Sequence, residues 1–65
     1  MKKIKHIIRV VKKMNEGKPY HVTYAMFEDG LEGQAWGNDY EVGEPVRVWY
    51  DEEYDKTKFA KKGDT

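Results

Sequence analysis

Cysteine and serine are both absent from this 65-residue chain. Without cysteine there is no disulfide to staple a small core, and no Cys₂His₂ or Cys₄ zinc site. Without either residue, two of the common catalytic nucleophiles are missing. Leucine occurs once, at Leu31, and isoleucine only at Ile4, Ile7 and Ile8. A helical bundle built on leucine and alanine is therefore disfavoured. No apolar run is long enough for a membrane span or a signal-peptide core, which gives the expectation of a cytoplasmic protein with no membrane partner. The length allows one small domain, residues 1–65, with residues 62–65 expected to be a frayed tail. A chain this short buries only about 60% of its unfolded surface and has little room for a catalytic cleft, so a non-enzymatic binding module is expected.

Aromatic residues are plentiful, at 14% of the chain, and with valine and threonine they favour strands. Charge is abundant but cancels. Residues 1–21 hold seven basic side chains against Glu16; residues 22–55 hold only Arg47 against ten acids; residues 56–65 hold four lysines against Asp64. Two basic ends thus flank an acidic middle.

Residues 2–14 carry two periodicities. Ile4, Ile7, Ile8, Val11 and Met14 fit a helical stripe, whereas Ile4, His6, Ile8 and Val10 alternate as in a strand. The hairpin connection Asn15-Glu16-Gly17-Lys18 that follows favours a strand, with the helix as the alternative. Residues 20–27 alternate, and Asp29-Gly30 is a strong hairpin signal. A two-residue turn there sets Gly33 opposite Met26, Ala35 opposite Tyr24 and Trp36 opposite Thr23. That register turns Tyr20, Val22, Tyr24 and Met26 inward and leaves His21, Phe27, Gln34 and Trp36 outside. Residues 37–43 read as a loop, Val46–Tyr50 as a fourth strand, residues 51–55 as an acidic turn and residues 56–61 as a fifth strand. The expected fold is all-β, a small five-stranded antiparallel barrel.

Gly17-Lys18-Pro19-Tyr20, Glu28-Asp29-Gly30-Leu31-Glu32-Gly33 and Gly43-Glu44-Pro45-Val46-Arg47-Val48 together resemble the turns and strand entries of OB-fold nucleic-acid-binding domains. The likeness spans roughly residues 2–61. It departs from the family between the third and fourth strands, where an OB-fold usually has a helix and only residues 38–43 are available; an SH3-like barrel is the alternative. The size and the VWYD…YDKTKF ending also look like those of small phage-type proteins.

The resemblance implies a single-stranded nucleic-acid partner, bound on the second and third strands and the loops beside them. Stacking is assigned to Trp36 and Phe27 with His21 alongside, and phosphate contact to Lys12, Lys13, Lys18 and Arg47. The acidic turn at 51–55 opposes phosphate, so a protein partner docked through the polarised charge, or a homo-oligomer, is the alternative. No cofactor and no metal site is expected. His6 and His21 lack a third ligand, and Asp51, Glu52, Glu53 and Asp55 lack the ligand order of a calcium loop. The glycines form no phosphate-binding loop.

Overall fold

A computed structural model describes residues 1–61. The expected frayed tail at 62–65 lies outside the described residues. Five strands follow in order: β1 (Lys2–Asn15), β2 (Lys18–Phe27), β3 (Glu32–Trp36), β4 (Pro45–Asp51) and β5 (Lys56–Lys61). No helix occurs among them, so none is long and apolar enough to cross a membrane.

The strand reading of residues 2–14 holds, and the helical stripe has a physical explanation. The β1–β2 register shifts between Ile4 and His6 and again between Ile7 and Arg9. Each shift inserts one extra residue into β1. Ile4 and Ile7, three apart, therefore both reach the core, which a regular strand with a two-residue period does not allow. At the end of this hairpin Glu16 and Gly17 form a two-residue turn with φ of 52° and 79°. Positive φ at both central positions is the turn type that matches strand twist.

The sheet closes in a ring of order β1-β2-β3-β5-β4. The expectation of a wholly antiparallel sheet is corrected here. β3 and β5 are parallel, in register at Gln34 and Lys58. The reason is the 37–44 loop, which carries the chain from β3 to β4 at the far side. There β4 pairs with β1 through Lys2↔Val46 and Lys3↔Pro45. The β4–β5 hairpin then lays β5 into the remaining gap, running the same way as β3.

The second correction is the register of β2 on β3. Phe27 donates its N–H to the Leu31 carbonyl at 2.8 Å, and Gly30 donates to the Phe27 carbonyl at 2.9 Å. The turn is therefore three residues long, Glu28-Asp29-Gly30, with Gly30 at φ 89° closing it as a bulge. Asp29 Oδ1 also accepts the Leu31 N–H at 3.1 Å. The added residue slides the pairing by one, to Ala25↔Gly33, Thr23↔Ala35 and Val22↔Trp36. A one-residue slip exchanges the faces of a strand, so Thr23, Ala25 and Phe27 point inward.

The core consists of Ile4, Ala25, Phe27, Ala35, Val46 and Phe59, with Ile7, Tyr40 and Val48 packed around it. Phe27 meets Phe59 edge to face at 5.3 Å, and Tyr40 meets Phe59 at 4.9 Å. Lys61 fixes the 37–44 loop over this end. Its ammonium donates to the Asp39 carbonyl and to Glu44 Oε2, each at 2.9 Å, and lies over the Tyr40 ring.

Candidate nucleic-acid interface

The registers place five residues in one row across the outer face: Arg9 on β1, Tyr24 on β2, Gln34 on β3, Lys58 on β5 and Trp49 on β4. Residues paired across strands share a face. The Arg9 guanidinium sits 4.6 Å from the Tyr24 ring centre. A second row, Val11–Val22–Trp36, lies beside the first, with Val22 itself buried at 3% exposure, and Lys13 pairs with Tyr20 beyond it. Trp36 is 76% exposed and tilts against Tyr20 at 5.7 Å. Next to it Thr23 Oγ1 donates to the Gly37 carbonyl at 2.6 Å, and the Gly37 N–H donates to the His21 carbonyl at 2.8 Å. These two bonds hold the end of β3 on β2 and so fix the backbone that carries Trp36.

Because β5 lies between β3 and β4, Trp36 and Trp49 stand on either side of it. They line a groove of about 310 Å³ with Gln34, Lys58 and, at its base, Ala35 and Phe59. That volume is at the low end for small-ligand sites. The lining offers aromatic faces and one amide. Lys58 is engaged: its ammonium is 2.9 Å from Asp51 Oδ2 and lies over the Tyr54 ring. The hydrogen bond from Lys58 holds the Asp51 carboxyl below the usual carboxylate range, helped by the Tyr54 and Glu53 N–H groups. The groove thus favours a flat, uncharged group, while free cationic charge lies toward β1 and β2.

The residues expected to form the site separate into four groups. Trp36, Lys13 and Lys18 share the outer face, since Lys13 pairs with Tyr20 and Lys18 alternates with it. Phe27 does not: it is fully buried, and its assignment as a stacking surface is corrected by the three-residue turn. His21 and Lys12 pair with each other on the opposite face of the β1–β2 hairpin, so His21 does not stand beside Trp36. Arg47 pairs with Ala60 toward the far end of β4 and is exposed.

Sequence reasoning missed Tyr20, Tyr24, Arg9, Trp49 and Lys58, having turned Tyr20 and Tyr24 inward, and set Gln34 on the outer face without giving it a role. The usable signal was glycine at the third position of Glu28-Asp29-Gly30, which marks a bulged three-residue hairpin as readily as a two-residue one. Among the described residues no group of three or more His, Asp or Glu is gathered so as to hold a metal ion. No family model, no curated protein and no solved structure matches the chain.

Proposed function

We propose that the chain is a non-enzymatic, OB-like domain that binds single-stranded nucleic acid on the outer face of β2, β3 and β5. The ring order with parallel third and fifth strands supports the OB-like reading over the SH3-like one. Tyr40 and the Lys61 ion pairs cover the end of the ring where the family usually has a helix. The observation that carries the functional reading is the gathering of two cations, two aromatic rings and an amide in one row, Arg9–Tyr24–Gln34–Lys58–Trp49, with Trp36 and Tyr20 beside it.

Bases stack on Trp36 and Trp49, with Gln34 offering an amide to a base edge. Phosphates run along Arg9, Lys13 and Lys18, away from the acidic 51–55 turn. Binding of this kind tolerates any sequence, because every base has a π-face. Three phosphate contacts give a salt slope of about −2 for a single strand.

The test is a titration with oligo-dT, followed by tryptophan emission at two salt concentrations, with a duplex control. The expected result is quenching by the single strand that weakens on that slope. Absence of quenching at about 100 μM oligonucleotide in low salt, the weak limit of non-specific binding, sinks the reading.

A further inference from the structure

We propose that the outer edge of β1, over Arg9 to Met14, docks an acidic extended peptide, which adds to the sheet as a sixth strand. β1 is 14 residues long, more than the ring uses. One side pairs with β2 along its length. The other pairs with β4 only at Lys2 and Lys3, and Ile4 is then held by loop bonds to Gly43 and Glu44. Beyond that point, among the described residues, no strand lies along this side of β1. An unpaired edge presents a row of N–H and C=O groups that another extended chain can pair with.

The two bulges define which part is usable. They interrupt the ladder up to Ile8, whereas from Arg9 to Asn15 the register runs without a break. In that stretch Arg9, Val10, Lys12, Lys13 and Met14 are all exposed. Val10 and Met14 are 46% and 64% exposed, so an incoming strand can cover apolar surface as well as pair with the backbone.

Charge selects the occupant. Residues 1–15 contain no acid. A second copy of β1 would set Arg9, Lys12 and Lys13 against one another, and like charges opposed across a pair of strands are destabilising. The same lysines that keep the edge from pairing with itself favour a strand carrying glutamate or aspartate. Cations lie on both faces of the edge, Arg9 and Lys13 on one and Lys12 on the other, so acids on either face of the incoming strand find a partner. This site uses the backbone edge of β1, and its existence does not depend on nucleic acid binding to the outer face.

The experiment uses the whole chain, ¹⁵N-labelled, and a peptide of Glu-Val repeats about eight residues long. A control peptide of the same sequence carries an N-methyl group on every residue. It keeps the charge but removes the N–H donors of both edges. The expected results are amide shifts concentrated at Arg9–Met14, slowed exchange of alternate amides there, and loss of binding by the N-methylated peptide. Lys12→Glu, at an exposed position, is expected to weaken binding at least tenfold while its spectrum remains folded. Binding of the N-methylated peptide as tight as that of the unmodified one would show charge attraction without strand pairing and overturn the proposal. Shifts centred on Trp36 and Trp49 instead of β1, or no binding by the unmodified peptide, overturn it equally.

Discussion

Phe27 and Phe59 meet edge to face, 5.3 Å between ring centres, directly beneath the backbone of Gly33. A β-carbon at position 33 would lie 3.1 Å from Phe27 Cε2 and 3.3 Å from Phe59 Cδ1. Both rings are buried and have little room to retreat. Gly33→Ala is therefore expected to destabilise the fold by about 1–3 kcal/mol, the usual range for overpacking, and Gly33→Val by more. Urea denaturation monitored by tryptophan emission checks this. An Ala variant as stable as the wild type would show that the aromatic pair is not the constraint on this residue.

How much of this arrangement was legible in the sequence turns on particular residues. The strands themselves were legible, because Asn15-Glu16-Gly17-Lys18 and Asp29-Gly30 punctuate alternating runs. The faces of β2 were not. Alternation shows that two sets of side chains point opposite ways, but not which set points in. Tyr20, Val22, Tyr24 and Met26 make as plausible an inner set as Thr23, Ala25 and Phe27. Only the length of the turn decides, and Glu28-Asp29-Gly30 suits either length. The two bulges in β1 were likewise hidden, since an inserted residue leaves the same i, i+3 apolar spacing as a helix. The parallel β3–β5 pairing depends on where the 37–44 loop delivers β4, which is a property of the closed ring and of no local segment.

The corrected register separates two aromatic residues that the sequence placed together. Phe27→Ala removes a fully buried ring and is expected to cost about 3–5 kcal/mol, a large share of the stability of so small a domain. Trp36→Ala removes a ring that is 76% exposed and is expected to change stability by about 0.5 kcal/mol or less. On the proposed reading its effect is expected on binding: losing one stacked base costs about 1–3 kcal/mol, or roughly 5- to 150-fold in affinity, with the salt slope unchanged. Thermal unfolding and an oligo-dT titration of both variants make the comparison. A Phe27→Ala protein of wild-type stability would restore the two-residue turn.

Asp51 occupies Lys58, a cation of the outer row, and on the proposed reading this ion pair keeps Lys58 from adding a phosphate contact to those of Arg9, Lys13 and Lys18. The carboxylate is 2.9 Å from the ammonium, and both side chains are largely shielded from solvent. Asp51→Asn keeps the oxygen that accepts the Glu53 and Tyr54 N–H groups and so leaves the turn intact. It frees Lys58 for the ligand. Tighter oligo-dT binding is expected, with a salt slope steeper by about 0.7 for one added phosphate contact. In a Lys58→Gln background the same substitution is expected to do nothing, which a double-mutant cycle reads directly. An equal gain in both backgrounds would assign the effect to the general removal of negative charge.

Glu44 and Lys61 couple the stability of the ring's end to pH. The hydrogen bond from Lys61 is the main cause holding the Glu44 carboxyl below its ordinary value, with the Glu41 N–H adding to it; the same bond raises Lys61. For the depressed acid, the stabilisation is complete above the unfolded carboxylate pKa and fades as pH falls through the folded one. For the raised ammonium it is complete below the unfolded lysine pKa and fades as pH climbs through the folded one. The pair therefore contributes fully at neutral pH and is lost at both extremes. Asp29, depressed chiefly by its hydrogen bond with Lys2, and Asp51 add to the acid limb. Glu44→Gln is expected to lower the thermal midpoint at pH 7 modestly and to flatten its fall between about pH 5 and pH 2, leaving Asp29 and Asp51 to contribute the remaining slope. Thermal scans of both proteins across pH check this. An unchanged acid limb in Glu44→Gln would mean that Lys61 holds the 37–44 loop through the Asp39 carbonyl, at 2.9 Å, and not through the carboxylate.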